Sequence, residues 1–404
     1  RGTLYAVYEF LEREVGVRWW TKDEEFVPKT PTLALPALDI RYKPPFLYRE
    51  VFSWGMMPRE KHWGYDDSDA AAVDWVQHRF AARLRNNGHG TAMPESLGGC
   101  YMPLGWCHTF YRFLPPETYF PEHPEWYSEI DGKRTAEKAQ LCMTNDAMLD
   151  EFSRHVLVKI REQPHLGIVV VTMNDWHRNC QCAACRAVDE AEGSAMGSLL
   201  YGVNRVAAAV AAEFPEFLVA THAYLYARKP PKTIRPRDNV LIWYCVIERS
   251  ACQPIDSDTN RALMEDLQGW SRAAGKLFIW DYTMNLSGPF TAHPNLHVYA
   301  PDFRAYRSAN AVGVFCEGES NSLTHAVELK VYVMAHLLWD PARDANQLID
   351  EFLTGYYGPA ATAIRAWHEL LWEKVAGVRL RWNQGPDAPW LDLATLNRGS
   401  ELFR

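Results

Sequence analysis

Four acids stand at or just beyond the ends of apolar runs: Asp175, Glu248, Asp281 and Glu317. Glycosidic-bond cleavage needs two carboxyl groups, one to protonate the leaving oxygen and one to serve as base or nucleophile. A single such acid is as readily a cap or half of an ion pair. Repetition after successive runs favours a functional set in one cleft. The first of the four follows the stretch GIVVVTMNDW, Gly167–Trp176. Its unbroken β-branched run suits a strand buried on both faces, with Asn174, Asp175 and Trp176 at its carboxyl end. Trp176, Tyr224, Trp243, Trp280 and Tyr282 are available as stacking faces for a sugar, and Asn174 as a polar contact. Arg49 and Arg228 can clamp a substrate carboxylate, although an ion pair with a neighbouring acid serves each equally well. His222 lies inside an apolar strand and reads as a core histidine.

Elements that bring those acids together must alternate strand and helix. Candidate strands are Leu47–Trp54, a short one near Asn86–Gly90, Glu137–Met143, the focal run, Phe217–Tyr224, Val240–Ile247, Lys276–Ile279 and Ala311–Phe315. Helical faces fall at Val73, Val76, Phe80 and Leu84, at Met148–Ile160, and over Ala195–Glu213, Arg261–Ala274 and Asp302–Ser308. Strands alternating with helices predict an α/β protein with a parallel sheet, and about eight units predict a (β/α)8 TIM-like barrel. No glycine-rich phosphate turn suggests an open dinucleotide-binding sheet instead. The expected division is residues 1–27 as the tail of a truncated N-terminal α/β domain, 28–46 as a proline-rich linker, 47–322 as the catalytic barrel, and 323–404 as the last barrel helix and a C-terminal helical region. Gly16 is a plausible stop for the first helix. Leu104–Asp131 is an aromatic insertion longer than a simple βα connection requires, and it is expected to wall the cleft with His108 and Trp126. Loop packing is the plain alternative for His108 and His123.

The run His177–Cys185 holds Cys180, Cys182 and Cys185. Three thiols and an imidazole can make a Cys3His zinc site, but the expected reading is a loop disulfide or plain thiols, with no metal and no cofactor in the reaction. The chain carries a net charge of −8 and no basic run, which argues against nucleic acid. Hydrophobic residues are 48% of 404, enough for a large core. No apolar run approaches the roughly 20 residues of a membrane span. A chain that opens at Arg1 directly in a helical pattern reads as a fragment. An extracytoplasmic location, periplasmic or secreted, is expected, with the signal region absent. The nine cysteines do not fix the redox compartment.

The opening GTLYAVYEFLEREVGVRWW resembles the end of the small domain before the barrel in α-glucuronidases and β-hexosaminidases. HTFYRFLPPETYFPEHPEWYSEIDGKR, CQCAACRAVDE, KPPKTIRPRDNV and EFLTGYYGPA resemble a bacterial domain-of-unknown-function family placed beside those glycosidases. The resemblance runs from Gly2 to about Ala360. It implies a polysaccharide-degrading glycosidase of carbohydrate metabolism, acting on oligo- or polysaccharides that bear a uronic acid or amino sugar. The α-glucuronidase layout implies Asp175 as acid, Glu248 or Asp281 as base, and inversion at the anomeric carbon. Asp at the acid position departs from the usual Glu. A hexosaminidase would use a substrate-assisted mechanism with an Asp-Glu pair, where this chain has Asn174-Asp175. The rival of another class is a non-catalytic carbohydrate-binding barrel, which needs aromatics but no paired carboxylates. A metal-dependent hydrolase would show HxH or HExxH spacing, and neither stands out.

Overall fold

The computed structural model describes residues 1–53, 55–56, 75–318 and 323–404. Trp54 and Val73, expected in a strand and a helix, and the expected boundary at residue 322 lie outside the described residues. Among those described, one parallel sheet organises the molecule. Its strands are β1 (Tyr48–Phe52), β2 (Ile168–Val170), β3 (Leu218–Ala223), β4 (Val240–Cys245), β5 (Leu277–Tyr282) and β6 (Ala311–Glu317), in the order β1-β6-β5-β4-β3-β2. Every neighbouring pair is parallel. Valine, isoleucine and aromatic residues fill these strands because both faces are covered.

The sheet is strongly curled. β1 and β4 are three places apart, about 14 Å in a flat sheet at the usual strand spacing. Yet the rings of Tyr48 on β1 and Trp243 on β4 lie 5.6 Å apart. Tyr48, Trp243, Phe278 and Phe315 fill the concave side through ring contacts such as Tyr48–Phe278 at 5.2 Å. Gly313 belongs to the same side, and a Cβ there would meet the Phe278 ring at 2.7 Å.

The early strands differ from expectation. Asn86 and Asn87 form no strand. Their side-chain amides stand in for a ladder, with Asn87 Oδ1 accepting from the Arg49 N–H at 2.9 Å and Asn86 Oδ1 from the Val51 N–H at 3.1 Å. Glu137–Met143 is not the third strand. Leu141 makes a single antiparallel bridge to Tyr127, and it is Leu104 that bridges Val169 in parallel. What stands is an α/β fold built on a curled, half-barrel parallel sheet of six strands. β5 also runs longer than expected, through Tyr282, so Asp281 lies within the strand and not beyond it.

Helices cover the convex side. Asp146–Glu162 is capped by Asn145, whose side chain accepts from the Met148 N–H, and it buries Met148, Leu149, Phe152, Val156 and Ile160. Met196–Glu213, Arg261–Ala273, Tyr299–Ser308 and the almost wholly buried Val327–Trp339 follow the strands. A helix not anticipated from the sequence, Ala183–Glu192, starts at the cysteine run with Cys182 at its N-cap. The N-terminal helix Gly2–Phe10 continues as one wider turn to Val15 and stops at Gly16, whose φ of +85° is the left-handed stop. It packs on Val327–Trp339 through Tyr5 against Trp339 and a hydrogen-bond contact of Glu12 Oε1 with His336 Nε2 at 2.9 Å. Helices Ala345–Phe352, Ala361–Val375 and Leu393–Leu402 form the C-terminal region. No single helix among the described residues is long and apolar enough to cross a membrane.

Candidate active site

A cavity of about 280 Å³ opens at the carboxyl ends of the strands. Strand alternation decides which side chains reach it. On β5, Trp280 and Tyr282 point into the concave side, and on β6 Glu317 does, two residues beyond Phe315. His222 of β3, Cys245 of β4 and Ile247 just after it complete the floor. Cys107 and His108 come from the insertion, Asp175 and Tyr224 from the loops after β2 and β3, and Met284, Leu286 and Trp382 form the rim.

Two carboxyl groups therefore share the cleft. Asp175 is 60% exposed, and its Oδ1 accepts from the Tyr224 hydroxyl at 3.0 Å. His108 Nε2 lies 3.8 Å from the same oxygen. A carbonyl can only accept, so the 2.9 Å contact of His108 Nδ1 with the Met173 carbonyl assigns the Nδ1 proton and leaves Nε2 facing Asp175. Glu317 is only 5% exposed and takes the Trp280 indole N–H on Oε2 at 2.7 Å. Burial, reinforced by the Asp175 charge, pushes the Tyr224 hydroxyl far up. Burial, with Cys245 and Glu317 nearby, does the same for Tyr282. Both phenols remain donors at neutral pH. Burial pushes the His222 imidazole down to about 3, with His108 adding to the effect, so it is neutral. Its Nε2 is buried and has no hydrogen-bond partner among the described residues.

The other two expected acids lie elsewhere. Asp281 is fully buried on the convex side, where Arg249 grips both its oxygens at 2.8 and 2.9 Å and the Tyr306 hydroxyl donates at 3.0 Å. Arg249 also pairs with Asp302, which burial and the Asp281 charge push up to about 7 against the pull of Arg249. Asp281 thus lies in a buried ion cluster with Arg249 and Asp302, outside the cleft that Asp175 and Glu317 line. Glu248 follows the inward-facing Ile247 and turns outward to Arg228, 3.3 Å away, so it too is outside the cleft.

Among the expected substrate contacts, His108, Tyr224, Trp280 and Tyr282 line the cavity. Arg49 does not: it is 3% exposed, donates to the Arg85 carbonyl at 3.0 Å and lies over the Trp339 ring at 5.1 Å. Its place on β1 between inward-facing Tyr48 and Glu50 sends it outward, away from the cavity. Trp126 is buried in its own insertion, stacked on His123 at 4.0 Å and on Tyr119 at 5.6 Å. Asn174 spends its amide on loop structure, accepting from the Tyr111 N–H at 3.3 Å and donating to the Ala139 carbonyl at 2.9 Å. Trp176 is 38% exposed beside Tyr111, off the cavity lining. The insertion thus contributes Cys107 and His108, not its densest aromatics. His222 and Cys245 were findable from alternation alone. Trp382, which tilts against Tyr282 at 6.2 Å, comes from an irregular C-terminal segment with no periodic signal.

Four other polarisable groups meet behind the Asp175 loop: Cys142, Cys180, Cys182 and Cys185, all buried, their sulfurs within 4.8 Å of one another. His177, the imidazole expected beside three of them, is exposed and takes no part.

The chain belongs to the family described as Domain of unknown function (DUF4838), whose sequence model matches residues 19–369. This bears out the resemblance to a domain-of-unknown-function family, but not the closer likeness to α-glucuronidases or β-hexosaminidases. No curated protein matches the chain. A similar solved structure is a "GH138 enzyme targeting pectin rhamnogalacturonan II", with a TM-score of 0.37 and 11% identity over 82% of this chain. The chain spans 44% of that protein's length.

Proposed function

For a chain of this family, we propose a glycoside hydrolase that cleaves O-glycosidic bonds of an oligo- or polysaccharide with Asp175 and Glu317 as its carboxyl pair. The observation that carries the reading is the convergence of these two acids on one cleft floored by Trp280 and Tyr282 and rimmed by Trp382. An aromatic floor stacks a sugar ring, and two carboxyls on one cleft meet the minimum for acid–base or nucleophilic cleavage. Asp175, exposed at the mouth, is placed to protonate the leaving oxygen. Glu317, oriented by the Trp280 indole, acts on the anomeric carbon directly or through water. We take the sheet as a (β/α)8 barrel in which Asn86–Asn87 and Leu104 hold the second and third strand places, an arrangement supported by their hydrogen bonds to β1 and β2.

The test is a screen of aryl glycosides and oligosaccharides, including uronic-acid and amino-sugar members, with wild type, Asp175→Asn and Glu317→Gln. Each variant should lose about 10²–10⁴-fold in kcat while melting near the wild-type temperature. Proton NMR of the first-formed anomer then decides whether Glu317 activates water or attacks the sugar itself. A wild-type protein that binds sugars in the cleft but hydrolyses no member of the panel would overturn the proposal in favour of a carbohydrate-binding cleft.

A further inference from the structure

We propose that Cys142, Cys180, Cys182 and Cys185 hold one zinc ion as a tetrathiolate site that pins the loop carrying Asp175. The inference does not depend on the reaction proposed above. Its basis is geometric. Cys142 Sγ lies 3.7 Å from Cys182 Sγ and 3.8 Å from Cys185 Sγ, and all four sulfurs fall within 4.8 Å of one another. A tetrahedral zinc with bonds of roughly 2.3 Å requires sulfur–sulfur edges of about 3.8 Å. Two disulfides would instead divide the group into bonded pairs at about 2.05 Å. Such a compact set suits a single ion, not a multi-iron cluster.

The surroundings suit thiolates. The Glu129 N–H points at Cys180 Sγ at 3.4 Å, and Arg134 Nη1 lies 3.6 Å from the same sulfur. The Thr144 hydroxyl lies 3.1 Å from Cys185 Sγ. Cys182 occupies the N-cap position of helix Ala183–Glu192 and Cys185 sits in its first turn, where the helix dipole favours negative charge. Binding converts four thiols and one Zn²⁺ into a site of charge −2 and releases four protons, and the arginine and the helix end offset that charge. All four positions being buried, these thiols are not a solvent-facing reactive set.

The site joins two segments far apart in sequence. Cys142 lies beyond the aromatic insertion, just before helix Asp146–Glu162, and the other three cysteines follow Asp175. Two residues before Cys142, Gln140 grips the Asp175 loop: its Oε1 accepts from the Asn174 N–H at 2.8 Å, and its Nε2 donates to the carbonyls of Asn174 at 3.0 Å and Trp176 at 2.6 Å. Metal at the four sulfurs thus fixes the backbone on either side of Asp175.

The experiment is metal analysis of wild-type protein produced in zinc-supplemented medium, read by elemental analysis and by release to a chromogenic chelator on titration with an organomercurial. One zinc per chain is expected, freed as four thiols react. Cobalt exchanged into the site should give the intense visible bands of a tetrahedral tetrathiolate. Cys142→Ser and Cys185→Ser should lose the metal, and Cys100→Ser, outside the cluster, should keep it. Because the cysteine variants can misfold, the wild-type stoichiometry is the deciding measurement. Wild-type protein that stays metal-free after supplementation, that carries iron instead of zinc, or whose four cysteines map as disulfides would overturn the assignment.

Discussion

Glu317 and Asp281 lie on neighbouring strands one step out of register: Glu317 is paired with Tyr282, and Asp281 with Cys316. That single step puts Glu317 in the cleft beside an indole donor and Asp281 in the opposite layer, clasped by Arg249. The same division separates Tyr48 and Glu50 from Arg49. Being at the end of a strand is therefore not enough to make an acid a candidate for catalysis. Parity along the strand decides whether it faces the cleft or the scaffold. The two environments differ in kind. The inner acids meet neutral donors, Tyr224 and Trp280, and keep access to a cavity; the outer ones are neutralised by arginines.

The strongest way to break this comparison is to neutralise the outer acid. Asp281→Asn leaves Arg249 buried and half-paired, and removing one partner of such a pair costs about 3–5 kcal/mol. Urea denaturation should show that loss, while the folded fraction keeps wild-type kcat. This reverses the sequence-level expectation that Asp281→Asn silences turnover without touching stability. A variant as stable as wild type but inactive would return Asp281 to the reaction. Trp126→Ala belongs with it, since a buried aromatic outside the cleft should cost about 3–5 kcal/mol of stability and leave KM unchanged.

The inner face makes a second, pH-dependent prediction. His222 is neutral when folded, at about 3, and titrates near its ordinary value when unfolded. Between those values the unfolded chain binds the extra proton, so stability falls as pH drops from about 6.5 toward 3, by up to about 1.4 kcal/mol per pH unit. His368, pushed down to about 4 mainly by burial, adds to the same slope. Melting temperatures of His222→Met across that range should show a flatter acid limb than wild type. An unchanged slope would mean that His222 is not buried in its neutral form.

The legible part of this fold was the part with strong periodicity. The β-branched run at Ile168 and the apolar runs at Leu218, Val240, Leu277 and Ala311 are all strands, because short runs of this kind, rich in β-branched and aromatic residues, suit a sheet covered on both faces. The pairings between β1 and β2 in the chain were not legible. Asn86 and Asn87 pair through side-chain amides, and Leu104 contributes one bridge, so neither leaves a hydrophobic period to read. Within the site, Asp175 and Glu317 were visible as strand-end acids. Asp281 and Arg49 lie off the cleft because alternation along β5 and β1 turns them to the other face, which position along a strand does not reveal. Cys142 went unseen as a partner of Cys180, Cys182 and Cys185 because a loop closes that distance, and no local spacing encodes it.

A finer test compares the rim with the outer aromatics. Trp382 tilts on Tyr282 and lines the cleft, so Trp382→Ala should raise KM about 2–10-fold, the range of a stacking contact worth about 0.5–1.5 kcal/mol. Trp176→Ala, off the cavity lining, should leave KM alone. Equal effects from the two substitutions would mean that substrate extends along the exposed face near Tyr111.

The smallest expected effect is also the most specific to the inner environment. The Tyr224 hydroxyl donates to Asp175 at 3.0 Å. Tyr224→Phe keeps the ring and removes only that bond. Asp175 is largely exposed, so water replaces much of what is lost, and the cost should be about 0.5–1 kcal/mol, a two- to five-fold fall in rate. If the hydroxyl holds the carboxyl in its working orientation, the fall appears in kcat and KM is unchanged. If it contacts substrate instead, KM rises and kcat stays. If neither parameter moves, the bond is incidental and Asp175 is oriented by the Gln140-braced loop alone, in which case Gln140→Leu should lower kcat more than Tyr224→Phe does.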